Sequence, residues 1–206
     1  MDQTTIDYRL GVPEHNRFEA AELYEAAFGP KFSVAISSKQ SRLQLLADTF
    51  HLEFAFAAIW NGELVGLAGF HSQNGALTGG LKYTSLLDQV GFIRGNWAAM
   101  IFSFYERKLS PNEMLMDGIS VRPDMRGKGI GKQLLYLLAE YAKNEGYSQI
   151  RLDVIDTNPN ARRLYERCEF IPTKTEHFGD LRWLLGFGAS TTLIRCLDAK
   201  IAKLES

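Results

Sequence analysis

The stretch from Ile119 to Lys132, Ile-Ser-Val-Arg-Pro-Asp-Met-Arg-Gly-Lys-Gly-Ile-Gly-Lys, constrains the fold of this chain more than any other. A short β-branched run (Ile119, Val121) ends at Arg122-Pro123, because proline has no amide donor to offer a neighbouring strand. Gly127, Gly129 and Gly131 follow, and then Leu134, Leu135, Leu137, Leu138 and Tyr141 recur at helical spacing. The pattern is strand, glycine-rich loop, helix. The first amide N–H groups of such a helix have no intrahelical partner and sit at the positive end of its dipole. Glycines let the backbone bend and approach a ligand without a Cβ in the way. Between Arg122 and Lys132 stand four basic residues and one acid. That combination suits a phosphate.

Two common phosphate loops fail on spacing. The P-loop G-x-x-x-x-G-K-[ST] would need Ser or Thr after Gly131-Lys132 and glycine at 126, where Gln133 and Arg126 stand. The dinucleotide fingerprint G-x-G-x-x-G would need glycine where Leu134 follows Gly129-Ile130-Gly131. What remains is Arg-x-x-Gly-x-Gly, Arg126 to Gly131. This pattern resembles the pyrophosphate loop of the GNAT superfamily of acyl-coenzyme A dependent N-acetyltransferases. The competing account is an ordinary glycine-rich connection with solvated lysines.

A second block strengthens the resemblance. Gln149 to Ile155 alternates through Ile150, Leu152 and Val154 as a strand. Asn158-Pro159 then opens a helix, with Asn favoured as N-cap and Pro at the first helical position. Ala161, Leu164, Tyr165 and Cys168 form its apolar face before a strand begins at Phe170-Ile171. The GNAT family shows Asn-x-x-Ala-x-x-Leu-Tyr and then Gly-Phe at this place, matched here by Asn158, Ala161, Leu164, Tyr165 and Phe170. Cys168-Glu169 departs from the family glycine, which puts the turn geometry in question but not the helix.

Composition sets the class. The chain has 206 residues, 46% of them hydrophobic, and a formal net charge of −1, enough for one good core. Near-neutral charge argues against a nucleic-acid partner, which would need a basic field. Two cysteines, Cys168 and Cys196, fit a reduced cytoplasm better than a disulfide framework. The opening Met1-Asp2-Gln3 lacks a basic n-region, and no apolar run is long enough to span a bilayer, so a cytoplasmic location without a membrane partner is expected. No Cys/His spacing suits zinc, so no metal is expected.

The remaining sequence organises around the loop. Ile6 to Leu10 alternates as a first strand, and Arg17 to Phe28 and Lys39 to Phe50 are helical, with Phe18, Leu23, Phe28, Leu43, Leu46 and Phe50 inward. Phe54 to Trp60 and Leu64 to Phe70 form a hairpin around Asn61-Gly62, a strong turn signal. Met114 to Val121 feeds the glycine loop, and Thr191 to Leu197 is a last strand. The expected fold is a single α/β domain (1–206) of α+β type, with a mixed, largely antiparallel sheet flanked by helices, as the GNAT resemblance also implies. Residues 73–112 are expected to be a helical insertion within it. Gly75, Gly79 and Gly80 lead there into Leu81 to Leu109, rich in residues such as Leu86, Phe92, Trp97, Phe102 and Tyr105. This segment could pack on the sheet, cover the acceptor site or serve as a homodimer surface.

The resemblance implies the chemistry: acetyl-CoA as cofactor and a small-molecule or peptide primary amine as acceptor. Phosphate contacts would come from Arg126, Gly127, Lys128, Gly129, Ile130, Gly131 and Lys132. The pantetheine arm would pair with the backbone of Ile119 to Val121. Gly129 and Gly131 are expected where a Cβ would intrude on phosphate or force an unfavourable backbone angle. Tyr165 matches the family tyrosine that protonates the departing thiolate; the alternative is a helix residue at the core edge. Asn158 matches a cofactor-contacting position, compatible with N-capping. Alternation puts Asp117 on one face with Ile119 and Val121, so it is a candidate base or a structural carboxylate; His51, Glu53 and His71 are further candidates. Two rival functions are a non-catalytic acyl-coenzyme A binding or sensing domain, which Tyr165 argues against, and a nucleotide enzyme, which the loop spacing argues against.

Overall fold

The computed structural model describes residues 5–33, 36–80, 109–179, 182 and 186–197, with side chains from 36 onward and before 30 in the first helices. In chain order the elements are β1 (Asp7–Leu10), α1 (Arg17–Ser33), α2 (Lys39–Thr49), β2 (Ala55–Trp60), β3 (Glu63–Ser72), β4 (Gly75–Ala76), β5 (Glu113–Val121), α3 (Ile130–Asn144), β6 (Gln149–Ile155), α4 (Pro159–Arg167), β7 (Ile171–His177) and β8 (Ala189–Cys196). The eight strands form one sheet in the order β1-β2-β3-β5-β6-β8-β7, with the short β4 added to β3. Every pairing is antiparallel except β5 with β6.

Strand alternation divides the interior into two apolar layers. Phe56, Ala58, Ala68 and Phe70 point to the face covered by α3, where they meet Leu134, Leu135 and Leu138. Ala55, Ala57, Leu64 and Leu67 point to the other face and meet Ala20, Ala21 and Tyr24 of α1 and Leu43, Leu46 and Phe50 of α2. Because both faces are covered, β3 is buried almost throughout, which explains its near-continuous apolar run. Full burial of a side chain such as Leu138 contributes roughly 1.5–3 kcal/mol. The hairpin turns at Asn61 (φ 55) and Gly62 (φ 83), the two left-handed residues that a two-residue turn matched to strand twist requires.

Two local devices place the elements that matter for the site. Gly66 lets α3 approach β3: a Cβ there would lie 2.9 Å from Ile130 Cγ2 and 3.1 Å from Leu134 Cδ1. Helices α1 and α2 are clasped by a buried pair in which Arg42 Nε and Nη2 donate to Glu25 Oε1 at 3.0 and 2.6 Å. Arg42 Nη1 also donates to the Ile36 and Ser37 carbonyls, so the pair fixes the α1–α2 connection.

Two expectations need correction. Phe18 is 43% exposed, because the buried stripe of α1 runs through Ala20, Ala21, Leu23 and Tyr24, with Phe28 partly buried against it, and leaves Phe18 at its margin. The segment from residue 73 is not foreign to the domain at its start. Gly75–Ala76 pairs with His71 and Ser72, and Leu77 is wholly buried against Gly69. The expected helices of Leu81 to Leu109, and with them a lid or a homodimer surface, lie outside the described residues. Glu169 supplies the left-handed turn (φ 67) that glycine would otherwise make before Phe170, held by an ion pair with Arg195 at 2.9 Å.

Candidate active site

The glycine loop leaves β5 through a tethered corner. Arg122 N–H still donates to the Val65 carbonyl, while its guanidinium pairs with Glu63 at 2.6 Å and Asp124 at 2.8 Å. Pro123 starts a 3-10 turn to Met125, whose side chain is buried and anchors the loop. Arg126 Nε then folds back onto the Val121 carbonyl at 3.0 Å. Gly127 and Gly129 have φ of 77° and 82°, and a Cβ at either would meet nothing within 4 Å. The conformational half of the expectation for Gly129 therefore holds, and its open side faces outward. Gly131 differs: a Cβ there would lie 3.3 Å from Leu164 Cδ2 and 3.8 Å from Ile119 and Val121, so it marks close packing of α3, α4 and β5.

The loop opens a row of donors. Gln133 N–H makes the first bond of α3, to the Gly129 carbonyl, so the amides of Ile130, Gly131 and Lys132 precede the intrahelical ladder. Ile130 contributes only its backbone, since its side chain is 1% exposed in the core. Arg126, Lys128 and Lys132 are exposed around this turn. Lys128 Nζ lies 3.2 Å from Met125 Sδ.

Beside the loop the sheet parts. β5 and β6 pair only through Glu113–Leu115 against Gln149–Arg151. Buried Glu113 clamps this apex, accepting from Arg151 Nη1 at 2.8 Å and Gln149 Nε2 at 2.8 Å. From Met116 to Val121, β5 keeps its β3 partner but has no β6 partner among the described residues, and β6 beyond Arg151 pairs with β8 alone. One edge of β5 is thus left with backbone groups that an extended ligand could satisfy.

Helix α4 borders the opening from the α3 side. Asn158 Oδ1 accepts from Ala161 N–H at 3.2 Å, a capping bond that leaves the Asn158 amide nitrogen to donate elsewhere. Leu164 reaches Gly131, and Tyr165 follows it into the core, ring-to-edge with Phe170 at 6.0 Å. Burial pushes the Tyr165 phenol well above its ordinary pKa of 10.0. It stays protonated at any physiological pH.

Asp117 is not where alternation put it. β5 carries a bulge: Gly69 pairs with Gly118 and Phe70 with Met116, which leaves Asp117 as the extra residue. A bulge shifts the side-chain parity. Ile119 and Val121 therefore join Met114 and Met116 on the α3 face, while Asp117 and Gly118 both turn to the α1 face. There Asp117 Oδ2 accepts from Thr78 N–H at 3.1 Å and Thr78 Oγ1–H at 2.7 Å. Burial raises the Asp117 pKa from 3.8, against the lowering effect of the Thr78 bonds and of nearby His71. Tyr24 Oη approaches the Asp117 carbonyl at 3.5 Å. His51 and Glu53, 3.6 Å apart, sit exposed beyond α2.

The structure thus brings Ile119, Val121 and Gly131 together with Leu164, leaves Tyr165 beside Leu164 in the core against Phe170, and sets Asp117 across the sheet from them. Sequence inspection missed Thr78, Tyr24 and Phe28 as partners of the bulge. The usable signal was Gly118, since a glycine inside a strand marks a bulge or a close approach. Among the described residues no helix is long and apolar enough to cross a membrane.

The family model of the acetyltransferase (GNAT) family matches residues 19–170. The chain belongs to the GNAT family. Among its relatives is the thialysine N-ε-acetyltransferase of Bos taurus, 43% identical over 51 residues, which cover 25% of this chain and 30% of that enzyme. The matched stretch therefore spans less than a third of the relative's own length. Among solved structures, an N-acetyltransferase from Staphylococcus aureus Mu50 aligns with a TM-score of 0.59 at 17% identity, covering 94% of this chain and 99% of that one. A Bacillus subtilis acetyltransferase in complex with CoA aligns with a TM-score of 0.54 at 18% identity, covering 93% and 99%. These likenesses show that the chain shares the fold of these acetyltransferases.

Proposed function

We propose that this GNAT member transfers the acetyl group of acetyl-CoA to a primary amine by direct attack within a ternary complex. The observation that carries the proposal is the parting of β5 from β6, with the donor-lined glycine loop on one side and the Asp117 carboxylate on the other face. The residues present fit the cofactor. Unpaired helix N-terminal amides and exposed Arg126, Lys128 and Lys132 suit a pyrophosphate. The free edge from Met116 to Val121 suits an amide-bearing arm, and the space beyond Gly127 and Gly129 admits close approach. The Bacillus subtilis relative binds CoA, and the Bos taurus relative is named for acetylating an ε-nitrogen, which supports an amine as acceptor.

When bound, acetyl-CoA supplies an activated acyl group and a thiolate leaving group. The chain supplies position and protons. An alkyl amine ionises near ~10.4 and arrives as the ammonium, so it needs a proton acceptor. Asp117 takes that proton at Oδ1, its Oδ2 being held by Thr78, and its raised pKa narrows the gap to the amine. A β5 backbone N–H on the open edge would polarise the thioester carbonyl. Attack of the neutral amine on the acyl carbon would expel the thiolate and leave a second N–H proton to pass to solvent, while the Tyr165 hydroxyl would supply the proton taken up by the sulfur. Asn158 would hold the cofactor through its amide nitrogen, which the capping bond leaves available.

Thiol release from acetyl-CoA across a panel of primary amines tests the proposal. Amine-dependent release with intersecting initial-velocity lines is expected. Saturable acetyl-CoA binding without release for any amine would mean a binding or sensing domain, and parallel lines would mean a covalent enzyme intermediate.

A further inference from the structure

Beside the displaced Asp117, two aromatic rings lie against Gly118. Asp117 and Gly118 face the same side, toward α1. At Gly118 a Cβ would lie 2.5 Å from Phe28 Cε2 and Cζ and 3.4 Å from Tyr24 Cε2, so the absence of a side chain there is what lets both rings lie across β5. The rings are themselves paired, with centroids 4.5 Å apart. Tyr24 is buried, whereas Phe28 and Asp117 are each only half-buried. The carboxylate is close enough to Tyr24 for its charge to help raise the phenol pKa. One carboxylate oxygen is engaged by Thr78; the other is not bonded among the described residues.

A carboxylate beside aromatic carbon is a site for an organic cation. The carboxylate attracts the charge, and the ring faces stabilise both the charge and the alkyl stem. We propose that Phe28, placed by Gly118, is a specificity-determining residue, and that it forms with Asp117 a subsite for an alkylammonium acceptor. This rests on the assignment of Asp117 to the acceptor side of the acetyl-transfer site. The same carboxylate disfavours an acceptor with a carboxylate of its own next to the amine, because like charges repel strongly where water is partly excluded. The acceptor class is thus an alkyl amine rather than a free α-amino acid.

The test is direct binding, independent of turnover. n-Butylammonium, n-butanol and norvaline, which is butylammonium bearing an α-carboxylate, are titrated by NMR into the protein with and without coenzyme A. Saturable binding of n-butylammonium is expected, with n-butanol and norvaline each at least ~10-fold weaker. Phe28→Leu, which keeps most of the packing volume and removes the ring, should weaken n-butylammonium by ~5-fold, and Asp117→Asn by ~10-fold. Gly118→Ala, which displaces Phe28, should reproduce the Phe28→Leu loss. Equal binding of the three probes, no saturable binding, or unchanged affinity in Phe28→Leu would overturn the subsite. Retained thermal stabilisation by acetyl-CoA certifies that each variant is folded. If acetyl-CoA fails to stabilise the wild type while n-butylammonium still binds as described, the cofactor assignment falls and the cation subsite stands.

Discussion

Replacing Gly129 by aspartate separates what the loop needs for its shape from what it needs for its charge. Gly129 has a φ of 82° and open space where a Cβ would be, so a new side chain meets no clash. The structural cost is that of holding an L-residue in the left-handed region, roughly 1–2 kcal/mol. For a chain of this size that lowers Tm by roughly 2–8 °C, at about 2–4 °C per kcal/mol. Gly129→Ala carries the same cost without charge. The electrostatic cost acts only on the ligand. A carboxylate ~5 Å from a unit negative charge costs ~0.8 kcal/mol in water, and a pyrophosphate carries about two such charges. The sum, ~1.7 kcal/mol, exceeds the 1.4 kcal/mol that corresponds to tenfold, so Gly129→Asp should weaken acetyl-CoA binding by at least about tenfold. Calorimetry on wild type, Gly129→Ala and Gly129→Asp at low and high salt measures it, with the Asp-specific loss shrinking as salt rises. A folded Gly129→Asp protein with unchanged affinity would refute the loop's role. A loss that Gly129→Ala matches in full would refute the electrostatic part.

Tyr165→Phe removes the hydroxyl and keeps the ring against Phe170, so kcat should fall roughly 10²-fold while acetyl-CoA affinity and Tm hold; lost stability with intact kcat would make the hydroxyl structural. The raised pKa of Asp117 places the acid limb of the kcat/KM profile above 3.8, and Asp117→Asn should abolish that limb. Because the folded state holds this proton more tightly than the unfolded one, Asp117 makes stability fall as pH rises between the two values; denaturation of Asp117→Asn across that window should lack this slope. Glu169→Gly relieves a left-handed residue worth ~1–2 kcal/mol and gives up an exposed ion pair worth ~0–1 kcal/mol, so Tm should rise by a few degrees; a fall would show that the Arg195 pair outweighs the strain.

Local signals carried the elements that local chemistry determines. Asn61-Gly62 announced its hairpin because the turn needs two left-handed residues, and Asn158-Pro159 announced α4 because capping and a fixed φ act within one turn. The glycine loop was legible for the same reason. Asp117 was misplaced because a bulge is a pairing event: which residue is extra depends on the β3 partner, and strict alternation carries no trace of it. Its partners are equally non-local, Thr78 lying 39 positions away and Tyr24 lying 93. The parting of β5 from β6, which makes the candidate site, is a property of two strands whose individual patterns read as ordinary. Phe18 was misjudged because its spacing fits a helix whose buried stripe is set by where α2 and the sheet press on it.

Amide hydrogen exchange with and without acetyl-CoA tests the central claim most directly, since it reports on backbone groups along the proposed site. If the cofactor lies in the opening, the amides from Met116 to Val121 and from Gly127 to Lys132 should exchange more slowly in its presence, and ADP alone should protect only the second set. Saturable binding that leaves both sets unchanged, with protection elsewhere in the fold, would contradict the account.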